Sequence, residues 1–162
     1  MFEKSLKLWW LQDRKYKRPV AELRMKIISS HANKNSLYRA CSDLLVLLWK
    51  DAVTEFSYQA SIAELESSIY FADGSFYLRV YGFDHKLQNL SNSLLKVLLS
   101  FAGRKSEDGL PSTIKEGRFD ACLEILRRRY TNSGMKASAM STDVRLRCLR
   151  SDNRSAHSKV RI

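Results

Sequence analysis

A chain of 162 residues that is 44% hydrophobic and 10% aromatic holds enough apolar material for one globular domain with a core, which excludes a wholly disordered segment. Its 28 Lys and Arg against 17 Asp and Glu give a formal charge of +11, a surplus that favours anionic partners and carries no information about fold. The surplus is uneven, with 17 basic and 13 acidic side chains in residues 1–117 but 11 and 4 in 118–162.

The opening stretch "MFEKSLKLWWLQDRKYKRP" has a short apolar patch between charges and no secretory hydrophobic region. No run in the chain approaches the roughly 20 apolar residues that span a bilayer. Residues 21–29 then alternate Ala21, Leu23, Met25 and Ile27 with Glu22, Arg24 and Lys26, the period of a half-buried strand. Pro19 fits the beginning of that strand, because proline cannot donate to a ladder.

A polar turn over 29–36 follows, with Ser36 as the expected N-cap of a helix reaching about Leu65. Leu37, Cys41, Leu44, Leu45, Leu48, Ala52 and Phe56 recur at helical spacing and form its expected core stripe. The period then returns to two, and Asp73-Gly74 in the middle predicts a tight hairpin. Phe76, Leu78 and Val80 should share one face, with Tyr77, Arg79 and Tyr81 on the other.

At "YGFDHKLQNL" the spacing becomes helical again, through Leu87, Leu90, Leu94, Leu98 and Phe101. Gly82 lets the chain turn, Asp84 is the expected N-cap, and His85 reads as a first-turn residue because no second ligand stands at metal spacing. Residues 102–117 gather glycine, proline, serine and charges and read as a loop. Phe119, Cys122, Leu123, Leu126 and Tyr130 make a third helical stripe. "DVRLRCLR" suggests a short helix and "SDNRSAHSKVRI" a frayed basic tail.

Signatures of catalysis are missing from the sequence. It contains neither a GxxxxGK[ST] phosphate loop, a G-x-S-x-G elbow, HExxH nor HxxEH, and the residues after His31, His85 and His157 supply no second imidazole at helical spacing. Zinc peptidase chemistry needs paired ligands to hold the ion and a carboxylate to activate water. Three cysteines far apart, Cys41, Cys122 and Cys148, read as reduced thiols of a cytoplasmic or similarly reducing compartment, the first two on apolar stripes. "RRRY" at 127–130 and "RLRCLR" at 145–150 give a second reading, a basic interaction module for an acidic protein or nucleic acid.

The segment "LLVLLWKDAVTEFSYQASIAELESSIYFADGSFYLRVYGFDHKLQNL" resembles the middle, or third, domain of the insulinase (pitrilysin) family of zinc metallopeptidases. That family shows a leucine-rich helix ending in E-x-x-Y-x-A-x-x-A-G-L, a hairpin, then G-[YF]-[ND]-x-K-L. Glu55, Tyr58, Ala60, Ala63, Leu65, Gly82, Phe83, Asp84, Lys86 and Leu87 fall on those positions. "LKLWWLQDRKYKRPVAELRMKI" is similar to the family's first strand. The likeness runs over about residues 6–132, and one departure stands out: the glycine after the second alanine is Glu64, which implies a different turn or a degenerate domain.

The order of elements predicts an α+β, two-layer fold with helices on one face of a mainly antiparallel sheet and a weakly structured basic extension over 133–162, and the resemblance implies that 1–132 is an incomplete insulinase-type domain. It implies a non-catalytic part that helps enclose a peptide substrate, with zinc and the catalytic residues in another domain of a parent enzyme. No catalytic, cofactor-binding or metal residue carries over to this chain. The expected partners are the remaining domains of such a peptidase, in cis or in trans, and peptide substrate, rather than nucleic acid or membrane.

Overall fold

The computed structural model describes residues 6–101, 116–133 and 135–150. The expected loop over 102–117 lies, for 102–115, outside them, as does the tail 151–162. The element order is β1 (Val20–Ile28), α1 (Ser36–Ile62), β2 (Glu66–Ala72), β3 (Ser75–Phe83), α2 (Asp84–Phe101), α3 (Glu116–Asn132) and α4 (Ala137–Leu149).

The strands pair antiparallel in the order β1-β3-β2, so β3 is central. Asp73 (φ 48°) and Gly74 (φ 69°) both take positive φ, the geometry of a two-residue hairpin whose twist matches the flanking strands. α1 and α2 cover one face of the sheet, giving the α+β two-layer arrangement. Leu78 and Val80 of β3, Ile69 of β2, Trp49 of α1 and Leu94 of α2 meet at its centre.

Trp49 is fully buried, and its indole Nε1 donates to the Leu94 carbonyl at 3.0 Å. One residue thus fills the space between the two helices and fixes their relative height. α3 packs on α1 rather than on the sheet, burying Cys122 and Leu126. It is tied there by the Tyr130 hydroxyl donating to Asp43 Oδ2 at 2.6 Å and by Arg118 near Asp51 at 3.4 Å. Burial, reinforced by the Asp43 carboxylate, keeps the Tyr130 hydroxyl protonated far above the usual tyrosine range. α4 buries none of its residues, and Arg150 at its end pairs with Asp73 of the hairpin at 2.5 Å.

Several expectations need correction. The N-cap of α1 is Asn35, whose side chain accepts from the Tyr38 N–H at 2.9 Å, and Ser36 is the first helical residue. The helix ends at Ile62, leaving Leu65 beyond it. Its buried face runs through Ser42, Val46, Trp49 and Val53, so Leu37, Cys41 and Ala52 of the expected stripe are exposed. Six consecutive apolar residues, 44–49, make the period ambiguous, and the bulk of Trp49 selects the face. Asp84 opens α2 from inside its first turn, where its charge faces the helix dipole. Its N–H donates to the Pro19 carbonyl at 3.3 Å.

Replacing Trp49 with Phe removes volume and the Leu94 bond together. Unfolding in urea should show a loss of about 3 kcal/mol. A loss below about 1 kcal/mol would show that the two helices are held elsewhere.

Candidate functional site: a structural corner and an open sheet face

The motif residues divide by location. Glu55 and Tyr58 lie on the exposed side of α1, Tyr58 at 68% exposure. Ala60, Ala63, Leu65, Gly82 and Leu87 gather where α1 turns into β2 and β3 runs into α2, while Phe83 and Lys86 project outward beside them.

The corner begins with the last turn of α1. Ala63 ends the helix, Glu64 N–H donates to the Ser61 carbonyl and Leu65 N–H reaches back to the Ala60 carbonyl, each at 3.0 Å. This pair of bonds is a Schellman closure, and it requires a left-handed residue between the helix and its apolar follower. Glu64 supplies that conformation at φ 58°. The turn is therefore of the kind a glycine would make, occupied by a glutamate under strain, and the different turn expected from the substitution does not occur. Leu65 then drops into the core at 6% exposure, next to Ala60.

Gly82 faces this corner at φ 147°. A Cβ there would lie 2.6 Å from Leu65 Cδ2 and 2.8 Å from the Glu64 carbonyl oxygen. Only glycine fits, on both conformational and steric grounds. Beyond it Leu87 is buried, and Asp84 and Lys86 are exposed.

None of these groups forms a donor set for a metal. Among the described residues no three His, Cys, Asp or Glu side chains come together to hold an ion. His85 is exposed, and His31 sits with Nδ1 3.1 Å from the Ser30 hydroxyl. Burial pushes the Cys122 thiol up, away from the thiolate a nucleophile needs; Cys41 and Cys148 are exposed free thiols.

Among the described residues the sheet's other face carries no helix, and its side chains fall into cross-strand rows set by register. Lys26, Tyr77 and Tyr70 form one row, with the two tyrosines stacked at 4.9 Å and 7° and the lysine ammonium 5.6 Å from the Tyr77 ring. Arg24 stands opposite Arg79 in the next, and Glu22, Tyr81 and Glu66 make the third. Glu22 Oε1 accepts from Arg24 Nε at 2.9 Å and also from Arg79 Nε. Arg79 first, then Arg24, holds the Glu22 carboxyl below its usual range. The first two rows line an open depression of about 490 Å³. The alternation places Glu22, Arg24, Lys26, Tyr77, Arg79 and Tyr81 on outward faces, but the rows, and the places of Tyr70 and Glu66 in them, follow only from the strand order.

The fold is matched by known sequences. The family model described as the middle or third domain of peptidase M16 covers residues 3–162. A nardilysin-like protein of Arabidopsis thaliana is 33% identical over 91% of this chain. Human nardilysin is 29% identical over 86% of the chain, and human insulin-degrading enzyme 28% over 78%. The chain belongs to the M16, or insulinase, peptidase family and corresponds to its middle domain. It spans 13%, 11% and 11% of the lengths of those three relatives.

Glu64→Gly should relieve the left-handed strain and stabilise the fold by about 1 kcal/mol, whereas Gly82→Ala should cost about 3 kcal/mol. Thermal and urea unfolding of both variants checks this. Destabilisation by Glu64→Gly would show that the glutamate side chain holds the corner.

Proposed function

We propose that this chain is a non-catalytic middle-domain module of an insulinase-type zinc metalloendopeptidase, which encloses peptide substrate and acts only together with the other domains. Zinc and the residues that activate water belong to a catalytic domain elsewhere in that enzyme. A cytoplasmic location accords with the three free cysteines. No described helix is long and apolar enough to cross a membrane.

The observation that carries this reading is the apolar segment ahead of β1. Leu6, Leu8, Trp9, Trp10 and Leu11 are each at least 82% exposed, although the family match includes them. Side chains of this size dominate protein contacts when buried, and two adjacent tryptophans form a natural anchor. Contiguous exposed apolar surface marks an interaction site. In relatives of which this chain spans only 13% and 11%, other domains are at hand to receive it.

The test is complementation. The 162-residue chain should bind a nardilysin-type enzyme from which the matching segment has been removed, shift its tryptophan emission to the blue, and restore chelator-sensitive peptide cleavage. Trp9→Ser with Trp10→Ser should weaken that complex more than about tenfold while far-ultraviolet circular dichroism stays unchanged. Peptide cleavage by the chain alone, or a chain that neither binds nor restores cleavage, would contradict the proposal.

A further inference from the structure

We infer that the open face of the sheet binds an extended peptide segment of the pattern aromatic-x-acidic-x-basic, read by its three cross-strand rows. The inference rests on the enclosing role proposed above and adds the chemistry of what is enclosed.

Arg24 and Arg79 are directly paired across β1 and β3, an arrangement that like charges make unfavourable unless an anion bridges them. Glu22 supplies that anion, its Oε1 accepting from the Nε of each arginine. Each guanidinium carries four further N–H donors beyond the Nε–H that meets Glu22. Both side chains reach solvent, Arg24 at 75% and Arg79 at 41% exposure. A second carboxylate placed over the pair would find charge-assisted donors already oriented.

The neighbouring rows fix what surrounds that carboxylate. Tyr77, Arg79 and Tyr81 alternate along β3, so the rows stand about 7 Å apart, the spacing of every second residue in an extended chain. On one side the stacked Tyr70 and Tyr77 offer an apolar floor edged by the Lys26 ammonium, which suits an aromatic side chain. On the other, Glu66 beside Tyr81 suits a lysine or arginine. The carboxylate row also argues against a nucleic-acid strand, whose repeated phosphates would meet it one step from the arginines.

Two labelled peptides of identical composition test this by fluorescence anisotropy with the full 162-residue chain: Tyr-Ser-Glu-Ser-Lys, and the same peptide with Glu and Lys exchanged. The first should bind about tenfold more tightly. Arg79→Gln should abolish the preference. Glu22→Gln should strengthen binding of the first peptide about threefold, because it removes the internal competitor while leaving the arginines. Equal binding of the two peptides, weaker binding by Glu22→Gln, or equally effective competition by a single-stranded oligonucleotide would overturn the inference. The complementation assay reads cleavage without regard to this pattern, so failure here is distinguishable from failure of the enclosing role.

Discussion

Gly82 brings the backbone of β3 against the Glu64 carbonyl, and that approach decides where α1 can leave the helical layer and enter the sheet. The Schellman closure reverses the chain at Glu64, Leu65 is inserted into the core, and β2 starts immediately afterwards in register with β3. A Cβ at Gly82 would push the two apart, and the apolar face of α1 would lose its place above Ile69, Leu78 and Val80. Trp49 then sets how α2 lies beside α1. Ala60, Ala63, Leu65, Gly82 and Leu87 of the family motif lie at or beside this corner.

Much of this was legible in the sequence. The alternation of Ala21 to Ile27 gave β1, Asp73-Gly74 gave the hairpin, and the leucines from Leu87 to Leu98 gave α2, because in each case one periodicity dominates. The face of α1 was obscured by its unbroken apolar run, where three-dimensional fit rather than spacing chooses what is buried. The cap moved by one residue, from Ser36 to Asn35, since both side chains can accept at that position. At Glu64 the backbone takes the left-handed conformation of a glycine-type turn, which the residue type alone does not announce.

The outer face shows a different limit. Glu22, Arg24, Lys26, Tyr77, Arg79 and Tyr81 were visible as outward residues, yet their grouping depends on β3 lying between β1 and β2. A sequence specifies which side of a strand a residue takes, and register then determines its neighbours. Among the described residues the same order leaves β1 and β2 as edges. The exposed tryptophans are the part of the surface that the proposed function assigns to other domains.

The central claim is that the module works within a larger peptidase assembly. The most direct measurement is the native size of the polypeptide in source cells, by size-exclusion chromatography with immunoblotting against the Ser36–Ile62 helix. The account predicts elution far above 18.7 kDa, together with chelator-sensitive peptidase activity, whether the other domains are covalently attached or bound. Recovery of the chain as a free 18.7 kDa monomer, separate from such activity, would contradict it.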